Sequence, residues 1–312
     1  MKTYVLNEAG SAEQLQLVQL EKPTPNANEV LVKVKALSIN PVDIKTRIGK
    51  SLYSQLREEG PVILGWDISG TVEAVGSEVK NFRVGDDVFG MINFPGNGKA
   101  YAEYVTAPEA HLTKKPKSVP HEEAAGATLA ALTAYQVLKR HVKPNDHVLI
   151  HSAAGGVGHF AVQIAKILGA NVTAITSGKN TAFVKSLGAD TIVDYTIQPF
   201  EDVIKDQDFA LETLSGENLK RTIKVIKKGG GIVTLPSGGI DDEVTKLANE
   251  KGINVAFEMV ESNGNDMQQI AEWLENGKLK THIFEVYPFD RLIDAHKQIE
   301  TGKTRGKVVV AI

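Results

Sequence analysis

The 312-residue chain has no cysteine. That absence excludes disulfides and thiolate nucleophiles, and with them nearly every structural zinc site. The eight histidines are scattered, and none stands in a His-Glu-x-x-His pattern. Long apolar runs are also missing, so nothing reaches the roughly 18 residues a membrane helix needs. The segment Met1 to Leu6 carries one lysine and no apolar core of signal-peptide length, which predicts a cytoplasmic protein without a membrane partner. Charge of one sign is lacking too: 35 Lys and Arg stand against 38 Asp and Glu, a net charge of −3. With no basic run, there is no field to recruit nucleic acid. No internal repeat or low-complexity linker occurs.

What is present has two textures, and the length suits about two domains. Up to residue 121 the chain is β-rich and punctuated by Pro and Gly. Val30, Val32, Val34 and Ala36 alternate with Leu31, Lys33, Lys35 and Leu37, a period-two strand. Gly70 to Val75 and Val88-Phe89 extend similarly, the second after the turn signal Gly85-Asp86-Asp87. From Glu122 to Arg140 the chain is Ala- and Leu-rich and predicted helical. Short apolar strands then alternate with helices: His147 to His151, Val157 to Leu168, Val172 to Thr176, Thr181 to Leu187, and onward to Val260. This alternation predicts a parallel sheet with right-handed crossovers. The expected plan is α/β, a doubly wound Rossmann domain over 122–265 inserted in a β-barrel domain of 1–121. Residues 266–312 return to that barrel, with a helix over Asp290 to Glu300 and a last strand from Lys307.

The segment Ser152-Ala153-Ala154-Gly155-Gly156-Val157-Gly158 follows a strand and opens a helix. In that context it predicts a dinucleotide-binding turn. Gly155 allows the backbone to approach a pyrophosphate, Gly158 allows the helix to pack on the strand, and the helix N-terminus offers free N–H groups. Ala154, Gly156 and Val157 complete the candidate phosphate contacts. Ala153 stands where the usual pattern has its first glycine. The next strand ends Thr176-Ser177-Gly178-Lys179, without the acid that would bind a ribose 2′-hydroxyl. Ser177 and Lys179 suit a 2′-phosphate instead, so the predicted cofactor is NADPH.

The order and spacing of several short motifs give a resemblance across essentially the whole chain. They are Ile39-Asn40-Pro41-Val42-Asp43, Gly65 to Val72, Val84 to Phe89, Leu132 to Tyr135, His151 to Gly158, Ser186 to Asp190, and Arg305-Gly306-Lys307-Val308-Val309. The chain resembles the zinc-free medium-chain dehydrogenases/reductases of the quinone oxidoreductase (zeta-crystallin-like) group. The resemblance implies a GroES-like catalytic domain around a Rossmann domain, and a homodimer. It places Tyr195 near the adenosine phosphate, Thr133 near the nicotinamide, Leu235 and Ser237 along the nicotinamide ribose, and Arg305 in a motif that reaches the phosphates. Zinc-bearing relatives carry a cysteine where Asn40 stands and His-Glu where Trp66-Asp67 stand, so no metal is expected.

Without a Lewis acid, alcohol oxidation lacks an activating group, whereas an electron-poor acceptor needs less help. The expected reaction is direct hydride transfer from NADPH to a quinone, with the protein positioning the two. Asn40 and Tyr53 are the candidate catalytic residues: Asn40 to hydrogen-bond the carboxamide, the substrate oxygen or a water near them, and Tyr53, which resembles a pocket-lining tyrosine of relatives, to give a hydrogen bond or proton to the developing oxyanion, a proton that solvent could equally supply. Asp43 is expected to orient its loop, and His151 to be a satisfied core histidine. The polar, helix-compatible segment 51–60 leaves an alkenal or enone as the alternative acceptor. A non-enzymatic NADPH-binding protein is the alternative of another class.

Overall fold

The computed structural model describes every residue except Glu59 and Ser237. It divides into two compact units, Met1–Leu132 with Val260–Ile312, and Thr133–Met259.

The first unit begins with β1 (Lys2–Leu6) and β2 (Leu15–Gln19), followed by β3 (Glu29–Ile39), α1 (Pro41–Arg47) and α2 (Tyr53–Glu58). Then come β4 (Asp67–Val75), β5 (Asp87–Met91), β6 (Tyr104–Pro108), β7 (Thr113–Lys114) and α3 (His121–Gly126). The break between units falls inside α4 (Leu129–His141). The second unit runs β8 (His147–Ile150), α5 (Gly156–Ile167), β9 (Asn171–Thr176), α6 (Thr181–Ser186), β10 (Thr191–Asp194), α7 (Phe200–Val203) and β11 (Gln207–Glu212). It ends with α8 (Glu217–Val225), β12 (Ile226–Thr234), α9 (Asp242–Lys251) and β13 (Asn254–Phe257). The chain returns to the first unit as α10 (Gly264–Glu275), β14 (Ile283–Pro288), α11 (Leu292–Glu300) and β15 (Lys307–Ala311).

The predicted parallel sheet is present. Its six strands lie in the order β10-β9-β8-β11-β12-β13, and every pair is parallel. This is the order of dinucleotide-binding sheets, with its reversal between β8 and β11. Leu149, Ile175, Ala210 and Ile232 on the strands pack with Leu219, Ile223 and Val244 on the helices. Burying each Leu, Ile or Val side chain contributes about 1.5–3 kcal/mol.

In the first unit the main sheet follows β14-β15-β3-β4-β5-β7, with β6 also on β3. The first half of β3 keeps Lys33 exposed, but Ala36 to Ile39 are buried on both faces. Part of that cover is α3, which packs on β3, β4 and β15. Ala125 of α3 meets Ala36 and Val309.

This packing displaces the expected domain limits. The break foreseen at 121/122 moves into α4, because α3 belongs to the barrel. The second moves from 265/266 to Val260, because Ser262 Oγ accepts the Phe94 N–H at 2.8 Å and Gly264 sits tightly on the carbonyls of Ala110 and Leu112. The stretch 122–140, predicted helical, forms two helices, α3 and α4. Between them Thr128 Oγ donates to the Ala125 carbonyl at 2.8 Å, and the Leu129 N–H donates to Asp67 Oδ1 at 2.9 Å. Among the described residues no helix is long and apolar enough to cross a membrane.

Gly158 fixes the approach of α5 to β8. A Cβ there would stand 2.1 Å from the Ser152 carbonyl oxygen and 2.8 Å from Ala153 Cα, both backbone atoms. Gly158→Ala is therefore expected to destabilise the nucleotide unit by about 1–3 kcal/mol. A lowered urea midpoint would check this, and an unchanged midpoint would show that the helix slides without cost.

Candidate functional site

The glycine-rich turn begins where β8 ends. Ser152 takes the left-handed conformation with φ 47°, and Gly155 N–H closes the turn on the Ser152 carbonyl at 2.7 Å. The left-handed position thus falls on Ser152 rather than Ala153, which is why alanine is accepted where a first glycine was expected. Gly155 is the N-cap of α5, and a Cβ on it would meet the Ser152 carbonyl oxygen at 3.1 Å. The first N–H groups of α5 have no carbonyl within the helix and carry its positive end. Gly155, Gly156 and Val157 are partly exposed, while Ala154 and Gly158 are buried. An anion seated at this turn would meet backbone donors rather than side chains.

At the carboxyl end of β9, Ser177 is half-buried and its Oγ accepts from Asn180 Nδ2 at 3.2 Å. Lys179 is exposed and has no ion-pair partner among the described residues. A carboxylate is nonetheless close. Asp194, the last residue of β10, accepts from the Thr196 N–H at 2.9 Å and from Thr196 Oγ at 2.6 Å. Those bonds, with one from the Gly178 N–H, hold it below the usual carboxylate range. Its Oδ2 would lie 2.4 Å from a Cβ on Gly178, so a larger residue there would push the carboxylate aside. No acid directly follows β9 in sequence, but the neighbouring strand β10 supplies one at its end. Tyr195 follows with its side chain 58% exposed, a free aromatic face at the same sheet end.

At the ends of β11 and β12, Thr213 Oγ and Thr234 Oγ are buried with no hydrogen-bond partner among the described residues. Sequence reasoning gave neither a role, since nothing in a lone threonine marks an unspent hydroxyl. Leu235 comes next, half-buried, with its N–H on the Glu212 carbonyl at 2.9 Å. Ser237, expected beside it, lies outside the described residues. Thr133 is buried in α4. His151 is sealed in the interior, its Nε2 2.9 Å from Thr222 Oγ and 3.2 Å from Glu212 Oε2. Burial drives the His151 pKa down to about 3 and that of Glu212 up to about 7.

In the β-rich unit Asn40 caps α1. Its N–H donates to Asp43 Oδ2 at 2.6 Å, so Asp43 orients the loop as expected. The Asn40 side chain is 1% exposed; Nδ2 donates to Asp67 Oδ2 at 2.7 Å, and Oδ1 accepts from Lys307 Nζ. Burial pushes Asp43 up to about 8 and draws Lys307 below the usual lysine range, with Asp67 and Asp43 opposing the latter shift. Lys307 was part of a recognised motif but drew no assignment, because its burial is invisible in the sequence. In the loop 51–60, the polar stretch from Ser54 that is compatible with a helix lies in α2. It opens on Tyr53, half-buried, whose oxygen accepts from Arg57 NH1 at 2.5 Å and keeps its own proton to donate. Arg305 also belongs to this unit and donates through Nε to His282 Nε2 at 3.2 Å.

Two family profiles match the chain: "Alcohol dehydrogenase GroES-like domain" over residues 26–117 and "Zinc-binding dehydrogenase" over 187–310. The chain is 35% identical to the 2-methylene-furan-3-one reductase of Solanum lycopersicum, over 99% of this chain and 79% of that protein. It is 33% identical to the NADPH-dependent alkenal/one oxidoreductase, chloroplastic, of Arabidopsis thaliana, with the same coverage. The solved structure of the quinone oxidoreductase from Coxiella burnetii superposes with a TM-score of 0.94 at 34% identity, covering 100% of this chain and 99% of that one.

The zinc in the second description does not fit the donors present. At the positions where zinc-bearing relatives hold ligands, Asn40 offers a neutral amide already engaged on both sides. The Trp66 indole N–H, a donor only, bonds the Gly96 carbonyl at 2.7 Å. Asp67 is occupied by Ser38, Asn40, Leu129 and Lys307. Among the described residues no group of three or more His, Cys, Asp or Glu is placed to hold a metal ion.

A carboxyl that binds its proton more tightly in the folded state loses native stability as it is forced to ionise. For Glu212 that loss runs from the ordinary value of 4.5 up through about 7. Glu212→Gln keeps an oxygen for the Leu214 N–H but cannot ionise. Its denaturation midpoint is expected to vary less between pH 6 and pH 8 than that of the native chain. An equal variation in both would assign the titration to another group.

Proposed function

Because the chain belongs to the quinone oxidoreductase group of the medium-chain dehydrogenase/reductase family, we propose that it is an NADPH-dependent quinone reductase working without a metal. The observation that carries the cofactor assignment is the exposed, unpaired Lys179 with Ser177 beside it, one strand from the glycine-rich turn. NADPH, when bound, supplies the hydride that an electron-poor acceptor takes up.

The rest is positioning by the chain. The turn from Ala154 to Gly158 holds the pyrophosphate on the positive end of α5. Ser177 and Lys179 hold the 2′-phosphate, with the Asp194 carboxylate as an opposing charge. Tyr195 covers the adenosine side. Thr133, Leu235 and Ser237 serve the nicotinamide side, and Arg305 the phosphates. Tyr53 donates its phenolic proton toward the oxygen that becomes anionic, and the Arg57 guanidinium keeps that hydroxyl oriented. The outer edge of β13 is unpaired in the sheet, and pairing of two such edges would give the homodimer.

An alkenal or enone acceptor is the second reading. It is favoured by the two relatives of 35% and 33% identity, whose names specify such carbonyl compounds. Both acceptors place negative charge on an oxygen after hydride addition, so one donor set serves either.

Following NADPH absorbance with 9,10-phenanthrenequinone, 1,4-benzoquinone and 3-penten-2-one decides between them. Quinone turnover is expected, and turnover of the enone alone would transfer the assignment. Tyr53→Phe should lower kcat by about tenfold or more while leaving NADPH affinity unchanged. Lys179→Ala should weaken NADPH binding several-fold and leave NADH binding unaffected, whereas Asp194→Asn should tighten NADPH binding. Fluorescence titration reads both, and equal affinity for the two cofactors in the native chain would refute the 2′-phosphate site.

A further inference from the structure

Lys307 is 2% exposed and Asp67 is fully buried, yet their charged atoms stand 3.7 Å apart rather than in direct contact. The ammonium instead donates to Asn40 Oδ1 and lies 3.4 Å from the Ile39 carbonyl. Replacing a buried ion pair with apolar side chains of similar size is often neutral or stabilising, so stability alone is a poor reason to keep a lysine here. Its distinctive effect is on the Asn40 amide. Lys307 can only donate and an ionised Asp67 can only accept. With the cation on Oδ1 and the carboxylate on Nδ2, the amide cannot turn over without facing like against like.

We propose that Lys307 is a positioning residue for the reduction, acting through Asn40. It locks the carboxamide so that the Nδ2 hydrogen not given to Asp67 is held as a donor for the oxyanion forming on the acceptor. This rests on the reductase reading above. A donor fixed in surroundings nearly closed to water needs no reorganisation when charge develops, which is where such a group acts most strongly. The arrangement puts a buried ammonium, an amide and a carboxylate at the ends of β15, β3 and β4, where the described side chains offer no metal site.

A double-mutant cycle on the full-length chain tests the idea. Lys307→Met should lower kcat about tenfold with KM for NADPH changed by less than about twofold. In an Asn40→Ala background the same substitution should change kcat by less than about twofold. Because Lys307→Met leaves Asp67 without its cation, Lys307→Met/Asp67→Asn serves as the folding control. It should regain the native melting temperature and keep the low kcat. An equal kcat loss in both backgrounds, or a kcat that recovers with the melting temperature, would overturn the proposal. A readout without turnover separates this from failure of the reductase reading. In 15N–1H spectra of the protein without cofactor, the Asn40 side-chain amide pair is identified by its disappearance in Asn40→Ala. It should exchange slowly with solvent and shift in Lys307→Met; fast exchange and no shift would overturn the positioning role. A native chain that reduces no acceptor would instead refute the reductase assignment.

Discussion

The Asp67 carboxylate holds the β-rich unit together. Its Oδ2 accepts from Ser38 Oγ at 2.6 Å and Asn40 Nδ2 at 2.7 Å, its Oδ1 accepts from the Leu129 N–H at 2.9 Å, and Lys307 balances its charge. These partners come from β3, the start of α1, the start of α4 and β15, segments as far apart as residues 38 and 307. Removing one side of such a buried pair costs about 3–5 kcal/mol, a large share of the roughly 5–15 kcal/mol that stabilises an ordinary domain. Lys307 reaches Asp67 from the part of the first unit that follows the nucleotide unit in sequence. The same carboxylate meets the break in the helical stretch after residue 120: the N–H of Leu129, the first residue of α4, is spent on it.

The nucleotide unit depends on backbone contacts of a different kind. Helix α5 meets β8 across a gap that a methyl group would close, and the turn between them places its left-handed residue at Ser152. The result, among the described residues, is a helix end with unspent donors and a neighbouring strand end whose Lys179 has no ion-pair partner. Asp194 complicates this balance. It secures the turn through Gly178 and Thr196, but it also sets a negative charge close to where Lys179 would meet a phosphate. In the proposed 2′-phosphate site the two charges would oppose each other, so the lysine would not act alone.

Loss of the metal-binding side chains changes what the barrel can do. Asn40 and Trp66 offer no free ligands, and Asp67 is already engaged, so the proposed reduction rests on hydrogen-bond donors. Those suffice where the acceptor carries its own electron demand. The buried Asn40 and the half-buried Tyr53 then differ in kind: one is fixed by three internal bonds, the other by a single arginine on its own helix turn.

Local pattern was enough for the parallel sheet, the glycine-rich turn between a strand and a helix, and the orienting role of Asp43. Periodicity, glycine spacing and capping chemistry act over a few residues, so they are written along the chain. The domain limits were not, because α3 and the stretch from Val260 look alike in sequence whichever core they join. Nor were Asp194 beside Gly178, the unspent hydroxyls of Thr213 and Thr234, or Lys307 on Asn40. Each depends on strand neighbours that are distant in sequence, and on burial, which turns an ordinary lysine or threonine into a group that must be satisfied. The sequence by itself determined which cofactor class the chain can hold and that no cysteine-based metal site exists. Tertiary structure alone decided which charges face each other, since a Coulombic or hydrogen-bonded contact depends on distance in space and not on separation along the chain.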